Sequence, residues 1–164
     1  MQIQTKDNSG AVTVQDDKIS YALNNELVFT VSLSDIVIIG EFTNDNGPVL
    51  DDWYLILVTT NGNWQSLSWY AADIDNLTKY LNDKFGTDLI IPRLANSTEW
   101  KSVVCYPKHL HGQPLFKLTT TENYKKPITF FDKLLSGTGL GGFDTTEYID
   151  LTDEAKAELK IASR

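Results

Sequence analysis

Three residues past the middle of the chain carry side chains suited to metal binding or proton transfer: Cys105, His109 and His111. A thiolate and two imidazoles are competent zinc donors, and a neutral imidazole is the commonest general base near neutral pH. The local pattern supplies no fourth ligand. Pro107 and Gly112 give the stretch the look of an ordinary loop after a strand, with Cys105 buried as a small hydrophobe. Ser102 stands outside any nucleophile-elbow sequence, and Gly-x-Ser-x-Gly occurs nowhere. These residues therefore assign no catalytic group and no metal. An enzyme or small-ligand binder using His109 or His111 is kept as an alternative reading.

Two further patterns invite chemistry. Gly137-Thr138-Gly139-Leu140-Gly141-Gly142 matches G-x-G-x-x-G, which in a dinucleotide fold brings backbone close to a pyrophosphate. Here the glycines follow a predicted helix instead of a strand, and Phe143-Asp144-Thr145-Thr146 opens no apolar helical stripe, so a helix-terminating loop is expected and no cofactor is assigned. Carboxylates come in pairs at Asp16-Asp17, Asp51-Asp52 and Asp73 with Asp75. Neighbours on a strand point to opposite faces, so Asp51 and Asp52 cannot both address one substrate if a strand begins there. Turn and cap roles account for all three pairs. Asp45, Asp51 and Asp52 fall in or beside one loop, where side chains reach a partner without disturbing a core, and they are the candidate partner-binding residues. Trp53, Trp64, Trp69 and Tyr70 could stack on a base or sugar, but the surrounding charge has the wrong sign for nucleic acid.

That sign is set by 22 acidic against 14 basic side chains in 164 residues, a net charge of -8. Residues 1–90 hold 13 acidic and 4 basic groups, whereas 91–146 hold 4 and 7. A generic nucleic-acid or anionic-membrane binder needs a surplus of cations, so neither partner is expected. The polar N-terminus lacks a signal-peptide apolar run, no stretch is long and apolar enough to span a bilayer, and a lone cysteine forms no intramolecular disulfide. A cytoplasmic setting is the expectation.

The elements that must hold these residues follow from periodicity. Val12 to Val14 and Lys18 to Leu23 read as strands around the Asp16-Asp17 turn. After Asn24-Asn25, Glu26 to Leu33 places Leu27, Phe29, Val31 and Leu33 on one face at period two. Ile36 to Thr43 follows, ended by Asn44-Asp45-Asn46-Gly47-Pro48. Trp53 to Thr60 and Asn63 to Tyr70 flank Asn61-Gly62, which predicts a two-residue type I′ hairpin. That register pairs Thr60 with Asn63, Val58 with Gln65, Ile56 with Leu67 and Tyr54 with Trp69, so Tyr54, Ile56, Val58, Leu67 and Trp69 share a face. Asp73 is expected to cap a helix over Ile74 to Phe85, stopped by Gly86, with Ile74, Leu77, Leu81 and Phe85 as its buried stripe. Leu89 to Ile91, Val103 to Tyr106 and Leu115 to Leu118 read as short strands. Pro127 opens a helix ending near Ser136-Gly137, and Thr152 caps a last one reaching about Ala162.

The sum is an α+β chain: an antiparallel, strongly bent sheet or partly open barrel of about six N-terminal strands covered by an amphipathic helix, then an extension of short strands and two short helices. One domain over residues 1–164 is expected, with 91–164 packed on the strand-rich 1–90. The N-terminal meander, the Ser34-Asp35-Ile36 step, the hairpin at Asn61-Gly62 and the helix from Asp73 to Phe85 resemble small bacterial pleckstrin-homology-like domains over the first half of the chain. The resemblance implies a bent antiparallel barrel or pair of sheets plugged by one helix, although that family has seven strands before its helix. Its basic phosphoinositide-binding loops have no counterpart here, so no ligand carries over. The functional expectation is a non-enzymatic, acidic protein-binding module for a basic partner, such as an inhibitor or immunity-type protein. A subunit or adaptor of a larger bacterial assembly is the other alternative.

Overall fold

A computed structural model describes residues 9–44, 51–95, 97, 99–120 and 147–162. Among these, nine strands and two helices form an α+β arrangement of open antiparallel sheets. Strands β1 (Ala11–Gln15), β2 (Lys18–Leu23) and β3 (Glu26–Ser32) make a meander. Strands β4 (Ile36–Thr43), β5 (Trp53–Thr59), β6 (Trp64–Ser68) and β7 (Lys101–Tyr106) make a central sheet in the order β6-β5-β4-β7. Strands β8 (Phe116–Thr120) and β9 (Glu147–Leu151) pair with each other. Helix α1 spans Ile74–Phe85 and α2 spans Asp153–Ala162. No helix among the described residues is long and apolar enough to cross a membrane. The helix expected after Pro127 and the glycine run at 137–142 lie outside the described residues.

The central sheet is buried on both faces, which explains the near-continuous apolar sequence of β4 and β5. On one face, Ile39, Leu55, Leu57, Leu67 and Trp69 join the inner side of the meander and the Ile74, Leu77, Leu81 stripe of α1. On the other, Ile38, Phe42, Tyr54, Ile56 and Val58 pack against Leu115, Phe116, Leu151 and Ala155 of the second half. Gly40 permits this second packing: a Cβ there would sit 2.6 Å from Leu115 Cδ2 and 2.8 Å from the Val103 carbonyl oxygen.

The Asp16-Asp17 turn forms as read, and Asn24-Asn25 makes a second of the same kind. Asp16-Asp17 and Asn24-Asn25 each link paired strand ends through two residues with positive φ (50° and 56°; 52° and 65°), the type I′ geometry that Asp and Asn tolerate. The third differs. Gly62 N donates to Thr59 O at 2.8 Å, Gly62 has φ 81°, and Asn61 Oδ1 accepts from Asn63 N at 3.0 Å and from Thr59 Oγ1 at 2.7 Å. The loop is Thr60-Asn61-Gly62, a type I turn closed by a left-handed glycine. Leu55 consequently faces Leu67, Tyr54 faces Ser68 and Val58 faces Trp64. This one-residue slip corrects the expected register and moves Leu67 and Trp69 to the face opposite Tyr54, Ile56 and Val58.

Other departures have equally local causes. Val28 is an extra residue between the pairs Ala22–Leu27 and Tyr21–Phe29, and this bulge leaves Leu27 67% exposed instead of on the buried face with Phe29 and Val31. Leu89 to Ile91 is not a strand: the Asn82 side chain donates to Ile90 O at 3.0 Å and accepts from Ile90 N at 3.1 Å, so an amide group takes the place of a neighbouring strand. Helix α1 has the expected bounds and ends at Gly86 in the left-handed region. Thr152 caps α2, its Oγ1 accepting from Ala155 N at 3.4 Å.

Candidate partner-binding groove

The groove is built where the two sheets and the start of α1 converge. Ala72 forms a parallel bridge with Ala11, with Val12 N donating to Ala72 O at 3.0 Å and Ala72 N to Gly10 O at 2.9 Å. This bridge fixes the segment leading into α1 against the edge of the meander. The Asn24-Asn25 turn borders one side of the opening, and Trp53, Trp69 and Tyr70 line another. The space enclosed is about 1050 Å³.

The aromatic wall depends on the corrected register. Trp53 and Trp69 lie stacked with centroids 4.9 Å apart and an interplanar angle of 15°, and Tyr70 meets Trp53 edge-on at 5.9 Å. Trp53 is held from behind: its Nε1 donates to Glu41 Oε1 at 2.6 Å. Glu41 is completely buried, and its carboxylate also accepts from Arg93 N at 3.0 Å and from Leu94 N at 3.1 Å. Several donors on one buried carboxylate satisfy the charge that burial would otherwise penalise. Sequence reading missed Glu41. Its signal was a lone charge inside the apolar run from Ile36 to Thr43. Trp69 is only 5% exposed, and its Nε1 has no hydrogen-bond partner among the described residues.

The charged side chains lining the groove, Asp73 and Asp75, are both carboxylates. Asp73 does not cap α1 as expected. Its backbone is left-handed, with φ 65°, whereas a capping side chain needs the extended backbone that aims it at the first-turn amides. Its carboxylate instead accepts from Asn76 Nδ2 at 3.2 Å and stays exposed, as does Asp75.

Asp51 and Asp52 sit beside this wall, just before β5, and take different donors. Asp51 Oδ1 accepts from Ser9 Oγ at 2.9 Å, and Asp52 Oδ1 accepts from the Tyr70 hydroxyl at 3.1 Å. The Tyr54 hydroxyl donates to Asp51 O at 2.5 Å and the Tyr21 hydroxyl to Ser9 O at 2.7 Å. Burial pushes the Tyr21 phenol up to about 12. Burial, reinforced by Asp52, does the same for Tyr70, also to about 12. Tyr54 is shifted in the same direction, first by burial and then by Asp51. The phenols are therefore donors throughout the neutral range. Asp45 lies outside the described residues.

Cys105, His109 and His111 are not brought together. Cys105 lies in the core between the sheets, where burial raises its thiol to about 12. His111 Nδ1 donates to the Cys105 backbone carbonyl at 2.9 Å. His109 is exposed on the short turn Lys108–Leu110 and lies 2.7 Å from Glu158 Oε2 of α2. Cys105 points from β7 into the first core, whereas His109 and His111 follow that strand on the turn after Pro107.

The chain matches no family model, no curated protein and no solved structure.

Proposed function

We propose that the chain is a non-enzymatic binding module that takes a basic segment of a protein partner into the groove between the Asn24-Asn25 turn, the stacked tryptophans and the start of α1. The observation that carries this reading is the groove itself: aromatic on one wall, with Asp73 and Asp75 as its charged groups. A lysine or arginine side chain gains there from carboxylates at one end and aromatic surface at the other, each worth about 0.5–1 kcal/mol at an exposed site. Asp51 and Asp52, already oriented by Ser9 and Tyr70, extend the negative field beside the opening. Such a field raises encounter rates with a basic partner. An inhibitor or immunity-type role is the form of this reading in which the partner is a basic toxin.

The test is an indole and backbone amide NMR titration with a short oligolysine peptide. Saturable shifts at the indoles of Trp53 and Trp69 and at the amides of residues 72–76, lost in an Asp73→Asn/Asp75→Asn variant, support the proposal. Shifts spread evenly over exposed carboxylates, unchanged in that variant, refute it.

A further inference from the structure

A second pocket, independent of the groove, carries the opposite charge. We propose that it binds a small ligand bearing an oxyanion on a planar apolar body. The pocket encloses about 460 Å³ between the loop holding Arg93 and Leu94, the start of β7 and the segment from Gly112 to Phe116. That volume falls within the range of small-molecule sites. Its charged lining residues, Arg93 and Lys101, are both cations. Neither side chain has an ion-pair or hydrogen-bond partner among the described residues. The rim of this cleft thus carries two exposed cations in a chain whose net charge is -8.

The backbone that carries the pair is firmly held. Arg93 is anchored through its backbone, because its N–H donates to both oxygens of the buried Glu41 at 3.0 Å. Lys101 pairs with Thr43 at the end of β4, and the Thr43 hydroxyl reaches Glu99 O at 2.9 Å. Ser102, next along β7, accepts from Phe116 N at 2.9 Å and donates to Phe116 O at 3.5 Å, tying the two walls together. Trp100 and Phe116 supply the apolar surface, and each meets Phe42 edge-on, at 5.7 and 5.8 Å, which fixes their ring orientation. The guanidinium offers a planar fork of donors to a carboxylate or phosphate, Lys101 adds a point charge, and Trp100 and Phe116 offer aromatic surface to a flat body.

The test uses the full chain and three probes: phenyl phosphate, inorganic phosphate and phenol, followed by calorimetry and by the Trp100 indole resonance. Phenyl phosphate is expected to saturate with a Kd of about 0.1–1 mM, at least about tenfold tighter than either phosphate or phenol alone. Arg93→Gln and Lys101→Gln are each expected to weaken it by about fivefold or more, with an unchanged thermal midpoint, because both side chains are exposed. Raising the salt concentration should weaken it in wild type and much less in the double variant. Absence of saturable binding at about 10 mM, or equal affinity in wild type and double variant, overturns the proposal. Phenol binding as tightly as phenyl phosphate also overturns it, since the cleft would then be merely apolar. Oligolysine binding at the groove should be untouched by Arg93→Gln, which keeps this result separate from the proposed function.

Discussion

The two faces of the central sheet are built to different rules. The face toward β8, β9 and α2 is an apolar layer of Ile38, Phe42, Ile56, Val58, Val104 and Leu115, closed by the second half of the chain. The face toward the meander and α1 holds a buried carboxylate, a buried thiol and two stacked indoles, and it leads out to the groove. The first kind of layer stabilises chiefly by apolar area, with the Tyr54 hydroxyl and Ser102 as hydrogen-bonding groups within it. The second holds a buried carboxylate in a fixed position, where Glu41 anchors Trp53 for the groove and the Arg93 backbone for the pocket, while the pocket's aromatic walls, Trp100 and Phe116, belong to the first face.

Substitutions on each face separate these roles. Phe42→Ala should give the largest loss, about 3–5 kcal/mol by denaturant melts, because the ring packs against Tyr54, Trp100 and Phe116 together. A loss below about 1 kcal/mol would mean that the second face is not a packed core. Glu41→Gln comes next, at about 1–3 kcal/mol: with the amide oxygen kept at the Oε1 position for Trp53 Nε1 and Leu94 N, the amide nitrogen takes the place of Oε2 and points a donor at the Arg93 amide. It should also disturb the Trp53 indole and Arg93 amide resonances, which Phe42→Ala should affect less. Wild-type stability in Glu41→Gln would remove the distinction between the faces.

Much of this contrast was legible in the sequence, and the part that was not has a physical cause. The meander and α1 announce themselves through Asp16-Asp17, Asn24-Asn25 and the stripe at Ile74, Leu77 and Leu81, all local signals. The faces of β5 and β6 do not, because β5 is apolar on both sides, β6 mixes Gln65, Ser66 and Ser68 with Trp64 and Leu67, and Asn-Gly serves a two-residue and a three-residue loop equally well. The Asn61 side chain decides between them through bonds to Thr59 and Asn63. Glu41 was hidden for another reason: its partners in the chain at Arg93 and Leu94 are more than fifty residues away. The acidic bias of the first half was visible from counting, but Asp73 read as a cap because nothing local reports its left-handed backbone.

The register itself can be tested by coupling. In double-mutant cycles with alanine, Leu55 and Leu67, directly paired on one face, should couple by about 0.5–1 kcal/mol. Ile56 and Leu67 lie in different cores and should be additive within about 0.5 kcal/mol. The reverse result would restore the two-residue turn.

A smaller effect is expected in alkali. Tyr21 and Tyr70 hold their protons to about 12 in the folded chain, against an ordinary value of about 10 for the unfolded one. The folded state therefore binds more protons across that interval. Its stability is intact below pH about 10 and falls as pH rises toward about 12. Thermal midpoints from pH 9 upward should decline less steeply in Tyr21→Phe than in wild type. Equal slopes would show that burial of this phenol does not contribute.

The central functional claim is the acidic aromatic groove, and the salt dependence of oligolysine association tests it most directly. Affinity should fall steeply with salt for wild type. It should be weaker and much less salt-dependent in Asp73→Asn/Asp75→Asn, with an unchanged thermal midpoint because both side chains are exposed. Asp51→Asn/Asp52→Asn should mainly slow association. Identical affinity and salt slope in wild type and Asp73→Asn/Asp75→Asn would contradict the account.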